Sequence, residues 1–330
     1  MGGRSFWCGD LRSRAGRLLP GLFSVRSIDQ SRDWAGVMEE TARTFRQLDL
    51  LSDAVQSQLE QLRSWLRSQQ RVCVAYSGGV DSSLVAAIAW EQLGTGAIAI
   101  TGVSPALAPQ LHDEARQQAA WLGIRHQEVA TSELEDPAYT SNPPERCFAC
   151  KRELHRHLAV IAAQAGQAQV VDGVNHDDLG DHRPGIEAAR QAGVRSPLAE
   201  LGLSKLAVRQ ISRSLGFPWW DKPAQPCLAS RFPYGDPIGA ERLRRVGAAE
   251  AWLRGQGFDD VRVRCQGATA RIEVPSDQID TFLLRLPRVA LVERFLALGF
   301  TSVSLDLEGL VSGKLNRELA LGDHQQVAIP

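Results

Sequence analysis

Three groups of residues in this 330-residue chain are of types, and at spacings, that do chemistry. The first is Ser77-Gly78-Gly79-Val80-Asp81-Ser82-Ser83, which joins the apolar run Arg71–Ala75 to the apolar helical pattern Leu84–Trp90. Two glycines let the backbone approach an anion without Cβ obstruction, and the first-turn N–H groups that follow lack intrahelical partners at the positive end of the dipole. With three serine hydroxyls as further donors, a phosphate is the natural occupant. The loop carries no lysine, so it is not the Gly-x-x-x-x-Gly-Lys-Ser/Thr grip on a terminal phosphate. The second group is Cys147 and Cys150, in Glu145-Arg146-Cys147-Phe148-Ala149-Cys150-Lys151, whose spacing suits zinc, an iron–sulfur cluster or a redox pair without choosing among them. Cys227 belongs with them: it lies in the proline-dense segment 218–227, and a cation such as Arg231 beside it favours the thiolate. The third is the glycine-rich stretch 173–185, with Asp177, Asp178 and Asp181 close to Arg183. Carboxylates so placed repel one another unless a cation or hydrogen-bond donors offset them, and Mg²⁺ riding on polyphosphate is one such cation. Taken alone, the same acidic loop also reads as a solvated helix cap.

The elements that must position these groups follow from periodicity. Strand-like runs at 71–75, 97–103, 125–130 and 169–174 alternate with helical patterns at 48–69, 82–93, 109–122 and 151–165, which predicts an α/β fold with a parallel sheet covered on both faces. In such sheets ligands bind beyond the carboxyl ends of the strands, where the serine–glycine loop and the acidic loop both fall. A helix at 204–215 ends this domain, expected to span 46–217. Residues 218–235 form an active-site linker, and 236–330 a smaller α+β domain for substrate binding or oligomerisation. That domain should hold a helix at 240–255, a hairpin around Gly267, a helix at 277–298 interrupted at Pro287 and a strand at 302–307, in a mainly antiparallel sheet.

Composition bounds the rest. The chain is 44% hydrophobic and 23% charged with a formal net charge of -1, so no global field favours nucleic acid or an anionic membrane. No apolar run reaches the roughly 18–20 residues that cross a bilayer, and a cytoplasmic protein is expected. Of the six cysteines, Cys73 and Cys265 lie in strand-like runs as packing residues. The start, through Arg26, carries five arginines (Arg4, Arg12, Arg14, Arg17 and Arg26) against Asp10, and includes Cys8. It lacks the long apolar centre of a secretion signal, and residues 1–45 are expected to be a disordered leader rather than a transit peptide.

The Ser-Gly-Gly-x-Asp-Ser pattern at Ser77–Ser82 resembles the pyrophosphate loop of the PP-loop ATP pyrophosphatases, which split ATP into AMP and pyrophosphate to adenylylate a substrate. With the loop 173–185, the Cys-x-x-Cys and the segment 222–235, residues 45–315 resemble the LarE family of PP-loop sulfur transferases. That resemblance implies an enzyme that adenylylates the carboxylates of pyridinium-3,5-biscarboxylic acid mononucleotide and converts them to thiocarboxylates, on the way to a nickel-pincer nucleotide cofactor. In one branch of the family the cysteine matching Cys227 gives up its own sulfur. In another, cysteines matching Cys147, Cys150 and Cys227 hold a 4Fe-4S cluster, and this chain has all three. The resemblance implies ATP and Mg²⁺ as cofactors, a homo-oligomer, and the following roles. Ser77, Gly78, Gly79, Val80, Asp81, Ser82, Ser83, Asp178 and Arg183 bind ATP, with Asp81 also on Mg²⁺. Cys227, Asp81 and Lys222 serve catalysis; Ser230, Arg231, Glu250, Arg262 and Arg264 bind substrate, Arg262 and Arg264 as a guanidinium pair on one strand face. A tRNA thiolase, an amidotransferase of the NAD or GMP synthetase kind, and a non-catalytic nucleotide-binding protein are the alternatives; near-neutral charge and the absence of a glutaminase region count against the first two.

Overall fold

The central strand shows why the chain folds as it does. In Val72–Ala75 (β1) all four residues are buried, and their alternation sends Val72 and Val74 into one hydrophobic cluster and Cys73 and Ala75 into another. A strand buried on both faces needs helices on both, as in a parallel sheet with crossover connections. The computed structural model describes residues 45–180, 184–311 and 313–317; most of the expected leader, and Arg183, lie outside the described residues. Phe45, at the leader's expected end, is described and buried against Trp121 and Phe217.

Before β1 comes α1 (Asp53–Ser68), capped by the Ser52 hydroxyl, which accepts from Val55 N, and burying Leu59, Leu62 and Leu66 along one face. Each such leucine stabilises by roughly 1.5–3 kcal/mol relative to exposure. After β1 follow α2 (Val80–Leu93), β2 (Ala97–Val103), α3 (Pro109–Leu122), β3 (His126–Ala130), α4 (Pro137–Thr140), α5 (Arg146–Gln164) and β4 (Gln169–Val171). Then come α6 (Pro184–Gln191), α7 (Pro197–Glu200) and α8 (Lys205–Ser214). The sheet order is β3-β2-β1-β4, all parallel, with Val72 paired to Ala97 on one side and Gln169 on the other. The α/β class expected from the sequence is therefore the observed one. Helices α1, α2, α3 and α8 cover one face, and α5 with α6 the other.

Chain order reverses at β1: β2 and β3 are added to one side, β4 to the other. The crevice at such a switch point opens beyond the carboxyl ends of β1 and β4. Two elements differ from expectation in ways that matter there. Strand β4 stops at Val171 because Asp172 Oδ1 accepts from Val174 N at 3.1 Å, a local turn that bends the chain toward α2. Helix α5 begins at Arg146 instead of Lys151, since Arg146 N donates to Pro143 O at 3.0 Å and starts the helix directly after two prolines. Cys147 and Cys150 therefore ride on its first turns.

Beyond residue 218 the chain builds α9 (Ala240–Gly255), β5 (Arg262–Gln266), β6 (Thr269–Glu273), α10 (Ile279–Arg285), α11 (Arg288–Ala297) and β7 (Ser302–Leu305). The hairpin at Gly267, φ +58, makes β5 and β6 antiparallel, but β7 pairs with β6 in parallel. The expected mainly antiparallel sheet is thus mixed, because α10 and α11 form a crossover that carries the chain back to the end where β6 begins. The core under this sheet includes Leu243, Val246, Ala249 and Leu253, and it takes in Tyr139 and Ala149 from the earlier segment.

One buried group makes stability pH-dependent. His155 on α5 is 3% exposed with neither ring nitrogen hydrogen-bonded, and burial, aided by nearby Lys151, pulls it from 6.5 to about 4. The unfolded chain therefore binds a proton that the native state refuses between those values. Stability is full above pH 6.5 and falls by about 1.4 kcal/mol per unit down to pH 4. Chemical denaturation should show this slope and should lose it in His155→Leu; an unchanged slope would assign it to other groups.

Candidate active site

The phosphate loop is shaped by glycine and serine. Gly78 takes φ +68, and a Cβ there would stand 2.9 Å from Ala115 Cα, so only glycine fits between β1 and α3. Ser77 Oγ accepts from Gly79 N at 3.3 Å and lies 3.2 Å from Ser82 Oγ, which donates to Gly79 O. Gly79 is the N-cap of α2 and has no capping side chain, which leaves first-turn amides for an external anion. Tyr76 Oη and Ser83 Oγ, 3.4 Å apart, close the buried side.

The acidic loop is held by Asn175, a residue the sequence reading passes over. Fully buried, Asn175 accepts from Asp177 N and Asp178 N through Oδ1 and donates through Nδ2 to Asp81 Oδ1 at 2.9 Å. Asp178 Oδ2 accepts from Asn175 N, and Asp177 Oδ2 accepts from Lys205 N at the start of α8. Lys205 Nζ also stands 3.6 Å from Asp81 Oδ2. The mutual repulsion expected of these carboxylates is thus offset by amide and ammonium donors, and Asp81 alone stands on the phosphate loop. Among the described residues no three His, Cys, Asp or Glu side chains converge on a single-ion site. Mg²⁺ needs no such set when phosphate oxygens and water complete its shell. Gly173 presses on α2 so closely that a Cβ would lie 2.6 Å from Ser82 N, which welds the two loops together.

Lys222 connects this site to the thiols. Its Nζ pairs with Glu114 Oε2 at 2.5 Å and donates to Gly78 O at 3.4 Å, so the segment that ends in Cys227 is tied across the phosphate loop. Leu228 N donates to Ala106 O at 2.9 Å and fixes the thiol end of the same segment. Cys147 and Cys227 are exposed and Cys150 half-buried. Desolvation by surrounding chain and then Cys227 push the Cys147 thiol up, even though part of its surface is open. Burial, Glu133 and Cys227 push Cys150 to about 12. The three sulfurs thus feel one another, and the Cys147 and Cys150 thiols would stay protonated without a cation to hold them as thiolates. Lys151, next to Cys150 in sequence and assigned no role there, adds positive charge facing Cys147, Cys150, His155 and Asp172.

The residues expected to take substrate divide sharply. Arg231 grips Glu250 with two bonds of 2.7 and 3.2 Å and donates to Pro226 O and Ser230 Oγ. Its charge is therefore matched by Glu250, not left for Cys227. Glu250 is fully buried; burial opposes its charge, and Arg231, Val263 N–H and Arg254 overcome that and hold its carboxyl below the usual range. With both oxygens occupied, Glu250 acts on the site by orienting Arg231. Arg264 is buried between Glu273 (3.0 Å) and Ser230 O (2.6 Å), so it braces the Ser230 turn. Arg262 differs: half-buried, it has no hydrogen bond or ion pair among the described residues, and burial with the nearby Arg231 and Arg264 lowers its pKa. It lines a cavity of about 170 Å³ with Pro223, Pro226, Arg231, Arg254 and Asp260.

The chain is similar to several known proteins. The asparagine synthase family model matches residues 47–143, the segment that carries the phosphate loop. The uncharacterized protein slr1717 of Synechocystis sp. is 55% identical over 265 residues, covering 80% of this chain and 99% of that protein. The pyridinium-3,5-bisthiocarboxylic acid mononucleotide synthase of Lactiplantibacillus plantarum is 38% identical over 255 residues, 77% of this chain and 92% of that enzyme. The uncharacterized protein MJ0830 of Methanocaldococcus jannaschii is 27% identical over 239 residues, 72% of this chain and 90% of that protein. No helix among the described residues is long and apolar enough to cross a membrane. A serine–glycine phosphate loop at a parallel-sheet switch point, and likeness to the synthase along almost its whole length, place the chain in the LarE family of PP-loop ATP pyrophosphatases.

Proposed function

We propose that the protein is an ATP-dependent sulfur transferase that converts the carboxylates of pyridinium-3,5-biscarboxylic acid mononucleotide to thiocarboxylates. The observation that carries this reading is the Lys222 tether, which holds the Cys227 segment across the ATP loop through Gly78 O and Glu114. Activation and sulfur delivery then share one crevice. A substrate carboxylate oxygen attacks the α-phosphorus of ATP, the bond to pyrophosphate breaks, and an acyl-adenylate forms. Loop amides at Gly79–Ser82 and the Lys222 ammonium stabilise charge that develops on the phosphates. Hydrosulfide from the cysteine site then attacks the acyl carbon, AMP departs, and a proton is released; nothing is oxidised or reduced.

Asp81 would hold Mg²⁺ together with phosphate oxygens, the one- or two-carboxylate pattern that this ion accepts. Cys147, Cys150 and Cys227, two on the first turns of α5 and one on the linker, would hold a 4Fe-4S cluster. When bound, the cluster would supply an iron without a protein thiolate, open to exogenous sulfur. Arg262 in its cavity is the candidate for the substrate phosphate, with Arg231 and Ser230 beside it. The test mixes anaerobically reconstituted protein, MgATP, sulfide and the biscarboxylate mononucleotide. AMP, pyrophosphate and replacement of carboxylate oxygen by sulfur in the product mass are expected; AMP formation without sulfur in the product would retain the activation and reject the transfer.

A further inference from the structure

Beside the three cysteines lies a set of buried polar atoms that the reaction above does not use. Arg146, which opens α5 immediately before Cys147, is 4% exposed, and neither its Nε nor its Nη1 has a hydrogen-bond partner. No carboxylate pairs with it among the described residues; its face rests on the Tyr234 ring, 5.1 Å to the centroid. A buried guanidinium without a counter-charge is one of the more costly arrangements a protein can keep. Tyr139 on α4 is 1% exposed, and its hydroxyl is likewise buried without a partner. An unmade bond of this kind costs about 1–3 kcal/mol, and two on neighbouring helices call for an occupant.

The surroundings identify the occupant's charge. The groups that act electrostatically on Tyr139 are Cys227 first, then Cys150, Glu133 and Arg146, and Arg146 also acts on Cys147. Burial pushes the Tyr139 phenol well above its usual range, so it remains a proton donor. Tyr139 packs in the same core cluster as Ala149 and Cys150, and Arg146 immediately precedes Cys147 on α5, so both donors lie beside the thiols. Glu133 adds negative charge beside Cys150, with Oε1 accepting from Ser104 at 2.5 Å and Oε2 buried and unpartnered, which increases the need for positive charge at the same place.

We infer that Arg146 and Tyr139 form a cradle for anionic sulfur, a guanidinium counter-charge and a phenol donor that stabilise negative charge gathered at Cys147, Cys150 and Cys227. This rests on the sulfur-transfer reading, and adds that the chain itself holds the charge that sulfur brings. Both are positioning residues. Donors and positive charge beside a cluster favour its reduced, more negative form, so removing them lowers the reduction potential.

Two measurements on the full-length protein separate the cradle from the cluster. In reconstituted protein followed by redox titration, Arg146→Gln is expected to shift the reduced-to-oxidised ratio about tenfold toward oxidised, a fall of about 59 mV for a one-electron couple. Tyr139→Phe should lower the potential by a smaller step, and Arg146→Lys should recover most of the wild-type value. In metal-free protein at fixed pH, thiol reaction rates are compared for a dianionic disulfide, 5,5′-dithiobis(2-nitrobenzoate), and a neutral one, 4,4′-dithiodipyridine. Wild type and Arg146→Lys should favour the anionic reagent several-fold over Arg146→Gln. Failure to take up iron would reject the cluster while the apo rates still decide the cradle. Unchanged potential in loaded Arg146→Gln or Tyr139→Phe, or an unchanged reagent ratio in Arg146→Gln, would overturn the cradle; Tyr139→Phe decides it if Arg146→Gln does not fold.

Discussion

Gly173→Ala is expected to cut ATP-dependent pyrophosphate release by about a hundredfold or more, whereas Gly180→Ala, seven residues on, should leave it unchanged. The difference lies in what each Cβ would meet. At Gly173 it would stand 2.6 Å from Ser82 N, 2.8 Å from Ser82 Cα and 2.9 Å from Asp81 C, all backbone atoms of the helix turn that receives the phosphate. None of these can swing aside as a side chain could. The loop after β4 must retreat instead, and Asn175 moves with it, breaking the 2.9 Å bond that aims Asp81. A displacement near 1 Å in a phosphoryl-transfer site is enough for the stated loss, and overpacking adds about 1–3 kcal/mol of destabilisation. At Gly180 no described residue lies within 4 Å, so the same added methyl meets open space among them. Calorimetric titration with ATP and a pyrophosphate assay on both variants check this. Equal behaviour of the two would mean that contact between Gly173 and α2 does not set the site.

The phosphate loop was legible because all its parts are contiguous: strand, two glycines, serines and helix start are local signals, and β2, α3 and α9 fall at their expected limits for the same reason. What sequence did not disclose depends on partners far along the chain. Lys222 reads as an isolated lysine among prolines until Glu114 and Gly78 appear beside it. Arg262 and Arg264 alternate as a strand demands, yet Glu273, on the neighbouring strand, neutralises Arg264 and leaves only Arg262 available. Glu250 is expected to bind substrate and is instead fully buried, because Arg231, nineteen residues earlier, turns inward to meet it. Asn175 and Arg146 had a signal that went unused: each directly adjoins or lies within a chemistry-bearing segment, Arg146 just before the Cys-x-x-Cys and Asn175 two residues before the paired aspartates. Tyr139 had none, since a tyrosine in a short turn gives no hint that its hydroxyl will be buried beside three thiols.

Cys227→Ala should reduce sulfur insertion to background and leave AMP and pyrophosphate formation within about threefold of wild type, a split that follows from where the segment is pinned. Its activating end is fixed by Lys222 at Gly78 and its thiol end by the Leu228 N–H on Ala106 O, so deleting Sγ disturbs neither anchor. The acyl-adenylate then forms, meets no sulfur and is lost to water. Loss of AMP formation along with sulfur insertion would instead place Cys227 in the activation step. The paired variant Cys147→Ala/Cys150→Ala tests the other half of the argument. If the three thiols act together, iron uptake and repeated turnover disappear with these two, although Cys227 remains exposed and chemically complete. If Cys227 alone supplies sulfur, the paired variant still gives one product equivalent and Cys227 loses the mass of hydrogen sulfide. The first outcome is expected: Cys147 and Cys150 sit one turn apart on α5, one exposed and one half-buried, where burial pushes both thiols up until a cation is bound.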